Sequence, residues 1–118
     1  MSQYVDGFVL PVPKDKIEVY REMAAQAAVV WREHGALEYR ECVLNDPDAK
    51  EMLSFPRLAN AEENETVVLA WVVYESREHR DKVNALVMAD PRLAGMCSEG
   101  VFDWKRMAYG GFEVLVQA

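Results

Sequence analysis

The chain has 118 residues, 51% of them apolar and 28% charged, with a formal net charge of −7. That length and composition predict one globular domain over 1–118 with a real but small core, and exclude a disordered chain. The acid excess argues against nucleic acid or an anionic membrane as partner, because polyanion binders carry a net basic face, and no apolar run approaches a membrane span in length.

In chain order, "YVDGFVLPV" (Tyr4–Val12) predicts a strand rich in aromatic and β-branched residues, closed by Pro11 and Pro13. A helix follows, with Asp15 as its expected N-cap and Glu18 in capping-box spacing. At about 100° per residue, Ile17, Tyr20, Met23, Ala24, Ala27, Ala28, Val30, Trp31 and His34 fall on one side. Val29 falls off that stripe. Gly35 marks the helix end.

"ALEYRECVL" (Ala36–Leu44) predicts a second strand, and its charges at Glu38, Arg40 and Glu41 suit an edge. Residues 45–65 are irregular and acidic, and Met52, Leu53, Phe55 and Leu58 suggest a segment that covers apolar surface. "TVVLAWVVY" (Thr66–Tyr74) predicts a third strand that is apolar on both sides. Ser76 is placed to cap a second helix running to about Ala89, with His79, Val83, Leu86 and Val87 as its inner stripe. The last strand is expected over Arg106–Val116, where Gly110 and Gly111 mark a bulge or the close approach of another backbone.

The resulting order, βαββαβ, predicts an α+β fold of ferredoxin-like type: a four-stranded antiparallel sheet, first and third strands central, two helices on one face. Two helices leave the other face of an apolar sheet bare. A second copy packed sheet to sheet is the expected cover, making a homodimer, with the 45–65 segment as the alternative. With no signal peptide read at the N-terminus, the cytoplasm is the expected setting, and Cys42 and Cys97 are expected to be reduced.

The segments Tyr4–Lys16, Trp31–Val43, "SFP" at Ser54–Pro56, the pattern ETVV..W.VY.SR.HRD.VNA.VMADPRL over Glu65–Leu93, and KRM.YGGFEV over Lys105–Val114 together resemble the YbaA-like domain-of-unknown-function family. The resemblance covers nearly the whole chain. It implies membership of the dimeric α/β-barrel superfamily, whose relatives include cofactor-free monooxygenases, isomerases and ligand-sensing modules. The segment containing Cys97 and Trp104 departs from the family pattern and is assigned no role.

The topology is expected to bring the C-terminus of the first helix and the N-terminus of the second to one end of the domain. His34 and His79 sit at those two places, and Tyr4, Asp6, Glu38 and Tyr39 belong to the same end. One reading is a polar pocket with histidine acid–base chemistry oriented by Asp6 or Glu38. The plainer reading is helix capping. Trp31 and Trp71 suit an apolar ligand pocket or simply the core. Arg106 and Tyr109 suit an anion contact or a dimer contact. No metal-ligand spacing or cofactor motif is present, so no metal and no cofactor are expected. Three functions follow: a small-molecule-binding dimer; a cofactor-free monooxygenase or isomerase using His34, His79 and Asp6 with Trp31; and an acidic protein-interaction module.

Overall fold

The computed structural model describes residues 2–94 and 100–118, so Cys97 lies outside the described residues. Four strands form one sheet: β1 (Tyr4–Pro13), β2 (Glu38–Val43), β3 (Glu65–Tyr74) and β4 (Ala108–Glu113), in the order β2-β3-β1-β4. Every neighbouring pair is antiparallel. The two longest, most apolar strands are the inner ones, and the charge-bearing β2 is an edge.

Two long helices accompany the sheet, α1 (Ile17–Glu33) and α3 (Arg77–Met88), with short ones at α2 (Phe55–Leu58) and α4 (Pro91–Ala94). The Ser76 hydroxyl accepts from the His79 N–H and caps α3 as expected. Asp15 does not cap α1. A 3-10 turn at Lys14–Lys16 follows Pro13, so the α-helix begins only at Ile17 with no side-chain cap. Asp15 instead lies in that turn, where its charge suits the positive end of the helix dipole.

Alternation along the strands divides the sheet into two faces. Val30 of α1 and Val83 and Val87 of α3 share one core with Tyr4, Val72 and Tyr74. Both long helices therefore cover the same face. Leu10, Val12, Val68 and Ala70 continue this buried layer toward Ile17 and Tyr20. Leu86, expected on the inner stripe of α3, is 46% exposed. Val83 and Val87 fill the contact, and Leu86 sits about 100° around the helix from Val87.

Among the described residues, the opposite face is covered at one end only. There α2 packs on β3, and the register partners Val67 and Pro11 are buried. Ala59 is the buried residue of that segment, whereas Met52, Leu53, Phe55 and Leu58 are 75, 59, 42 and 56% exposed. The cover expected of those four side chains is therefore limited to the contact that α2 makes with β3 at this end. Farther along the same face, Leu69 is 38% and Phe112 60% exposed.

The glycines of β4 serve side chains and not a bulge. The β1–β4 register runs unbroken through Gly110 and Gly111. Phe112 lies across the cross-strand pair Gly7 and Gly110, and the Tyr4 ring packs on Gly111.

Candidate functional site

On α1 the inward positions between Tyr20 and Trp31 include Ala24 and Ala27, too small to fill the space above the sheet. A cavity of about 410 Å3 results, within the range that holds small organic ligands. Its aromatic walls are Phe8, Tyr20, Trp31, Tyr39, Phe102 and Tyr109. Three methionines, Met23, Met88 and Met107, add adaptable apolar surface. Its acidic side chains, Asp6 and Glu41, come from β1 and β2 respectively.

Asp6 is 2% exposed and is held by a small network. Arg80 of α3 donates from Nη1 to Asp6 Oδ1 at 3.0 Å and to the Tyr109 hydroxyl at 2.7 Å. The Tyr109 hydroxyl in turn donates to Asp6 Oδ1 at 3.2 Å. The guanidinium lies 4.9 Å from the centre of the Tyr4 ring, a cation–π contact. Its Nε sits 2.9 Å from Asp81 Oδ1 without hydrogen-bond alignment. Burial pushes the Asp6 carboxyl above the usual range, with Arg80 and Tyr109 pulling the other way. Nearby, the Tyr74 hydroxyl accepts from Trp31 Nε1 and donates to Asn84 Oδ1, each at 3.2 Å. These bonds tie α1, β3 and α3 together around the cavity.

Glu41 has a different environment. Oε1 accepts from the Tyr20 hydroxyl and Oε2 from the Tyr39 hydroxyl, the latter at 2.7 Å. Burial and the Glu41 charge push both phenols up, so they remain donors. Strand alternation explains the pairing: Tyr39 and Glu41 are two residues apart and share the helix-covered face. A second recess of about 300 Å3 between α1 and β2 shares Tyr20, Ala24, Tyr39 and Glu41 with the larger cavity. The hydrogen-bonded trio thus stands between the two.

Of the residues expected to form a site, the structure gathers Asp6, Trp31, Tyr39 and Tyr109 around the cavity and stacks Tyr4 behind them under Arg80. Trp71 occupies a position alternate to Ala70 and Val72, opposite Gly7 and Arg40, on the face away from the helices. Glu38 pairs with Arg40 at 2.5 Å, and Arg106 is bound by Glu65 at 2.5 Å.

Neither histidine lines the cavity. The end of α1 lies against the N-terminal half of α3, with Gly35 beside His79 and Val83. His34 reaches past the last turn of α3 to Asp90 at 2.8 Å, while His79 Nδ1 accepts from the Glu75 N–H at 3.0 Å in the first turn. The two rings thus serve opposite ends of one helix as local partners. Asp90, bonded by Arg92 and His34, has its carboxyl held well below the usual range.

Sequence reasoning missed Glu41, Tyr20, Arg80 and Asn84 as site residues. Tyr20 was visible on the inner stripe, and alternation with Tyr39 was the available signal for Glu41.

Residues 3–104 match the model of a family described as "Protein of unknown function (DUF1428)". The chain is 50% identical over 115 residues to "Uncharacterized protein YbaA" of Escherichia coli strain K12, a match covering 97% of each chain. The protein of the same description from Shigella flexneri matches to the same extent, 50% over 115 residues. Among solved structures, a crystal structure described as a candidate amidohydrolase/peptidase from Burkholderia cenocepacia aligns with TM-score 0.34 and 11% identity. That alignment covers 97% of this chain and 28% of the other, and no inference is drawn from it.

Proposed function

This chain belongs to the DUF1428 family, and we propose that it is a homodimer that binds a small apolar or aromatic compound between sheet and helices. The observation that carries the reading is the 410 Å3 cavity walled by aromatic rings and methionines. Large apolar walls with a few convergent polar groups are the usual form of a small-molecule site.

The strand order β2-β3-β1-β4, with both long helices over one face, supports reading the domain as ferredoxin-like and as half of a dimeric α/β barrel. The bare stretch of the other face, with Leu69 and Phe112 exposed, supports a second copy as its cover. A cytoplasmic setting goes with the exposed Cys42 thiol, which suits a reducing compartment.

Filling the cavity tests the ligand reading. The neutral fluorophore N-phenyl-1-naphthylamine should bind the wild-type protein saturably, one per chain. Ala27→Phe should weaken it by about ten-fold or more, with an unchanged far-UV spectrum. Equal binding by both proteins overturns the reading.

A further inference from the structure

We infer that the compound this cavity takes is an organic cation: a protonated primary or secondary amine on a one- or two-ring apolar body, its charge set against Glu41. The inference rests on the ligand-binding reading above and narrows it to one chemical class.

The two carboxylates of the cavity differ in what balances them. Asp6 has a cationic partner, Arg80, at 3.0 Å. Glu41 receives only neutral donors, the hydroxyls of Tyr20 and Tyr39. Among the described residues no Lys, Arg or His nitrogen lies in ion-pair contact with Glu41, and none of these residue types lines the larger cavity. The nearest basic side chain on the adjoining recess is Arg21, which points its Nε at Glu18, 3.1 Å away, and is 71% exposed.

A carboxylate offers about four acceptor sites. The two phenols occupy one on each oxygen and hold the group by two donors from separate elements, α1 and β2. The remaining sites are available to a donor from the ligand. A negative charge facing apolar walls is stabilised by a counter-charge that also donates hydrogen bonds, and left bare it is costly.

The three ligand charge types then separate cleanly. An anion meets two carboxylates and no uncommitted cation. A neutral apolar compound displaces water from Glu41 and gives nothing back. An ammonium group neutralises Glu41 and donates to its open sites, while its apolar body sits among the aromatic walls. Its N–H groups favour a primary or secondary amine over a quaternary one.

The test uses three probes with one ring system, titrated calorimetrically into the full chain: 1-naphthylmethylamine, 1-naphthylmethanol and 1-naphthoate. The amine should bind about ten-fold or more tighter than the alcohol, the scale of one charge-assisted hydrogen bond, and the acid weakest of all. Glu41→Gln should bring the amine down to the level of the alcohol, abolishing the amine's roughly ten-fold advantage. If amine and alcohol bind wild type equally, or E41Q keeps the preference, the cation inference falls and the ligand reading stands. If none of the three binds, both fall. Should E41Q not fold, the ranking of the probes on wild type decides.

Discussion

Asp6 and Arg80 form an ion pair with side chains 3% and 13% exposed, and such a pair is unforgiving when halved. Asp6→Ala leaves the guanidinium without its buried carboxylate, with only the exposed Asp81 beside it, and should cost about 3 kcal/mol in chemical denaturation. Asp6→Leu combined with Arg80→Met should recover most of that loss, since two matched apolar side chains leave no stranded charge. A loss below about 1 kcal/mol for Asp6→Ala would place the anchor of this network elsewhere. A second residue-scale prediction concerns acid. Glu65 accepts from Arg106 Nη2 at 2.5 Å and Nη1 at 3.0 Å, and those bonds hold its carboxyl below the ordinary value of 4.5. The unfolded chain then takes up this proton first as pH falls. The stability from the pair is present above about pH 4.5 and is lost as pH drops through the lower folded value. The melting-temperature gap between wild type and Glu65→Gln should therefore be widest near neutrality and close below pH 4.5.

At the level of elements, the glycines of β4 make opposite predictions one residue apart. A methyl on Gly111 would meet Tyr4 ring atoms at 2.7 and 2.9 Å, whereas one on Gly110 would meet Phe112 at 3.5 Å, ordinary contact. Gly111→Ala should cost about 1–3 kcal/mol in denaturant titration and Gly110→Ala far less. Much at this scale was legible beforehand. Runs rich in aromatic and β-branched residues marked the four strands, although β4 covers only Ala108–Glu113 of the expected Arg106–Val116, and the period-3.6 stripe of α1 matches its half-buried and buried side, with Val29 54% exposed on the other. What escaped depends on how elements cross. The end of α1 does meet the first turn of α3, where Gly35 lies beside His79, yet the rings of His34 and His79 bond to different partners, Asp90 and the Glu75 N–H. Glu41 counts in the sequence only as one of three charges that mark an edge strand, because on an edge strand the sequence pattern alone does not say which face lies under a helix. The cavity was equally hidden. It exists because Ala24 and Ala27 are small where the helix stands off the sheet, and a helical stripe records which side is inward but not how far away the neighbour is.

For the whole molecule, the proposed dimer predicts two chains per particle by sedimentation at micromolar concentration. A charge placed in the bare face, Leu69→Lys or Trp71→Glu, should yield single chains of unchanged helix content. A wild-type protein that sediments as one chain would end the proposal. Helix content is the necessary companion measurement, because β3 is an inner strand and a misfolded variant would also lose its partner.

That strand has a further consequence. Along β3, Val72 faces the cavity while Trp71 and Val73, the residues on either side of it, face the opposite surface. A guest molecule and a twin subunit would each press on the same ribbon of backbone from opposite sides, a single peptide unit apart. Under the proposed arrangement the two occupancies share one partition. Any difference in how tightly monomer and dimer hold the amine must reappear, once for each of the two chains, as a shift in subunit affinity when the amine saturates both.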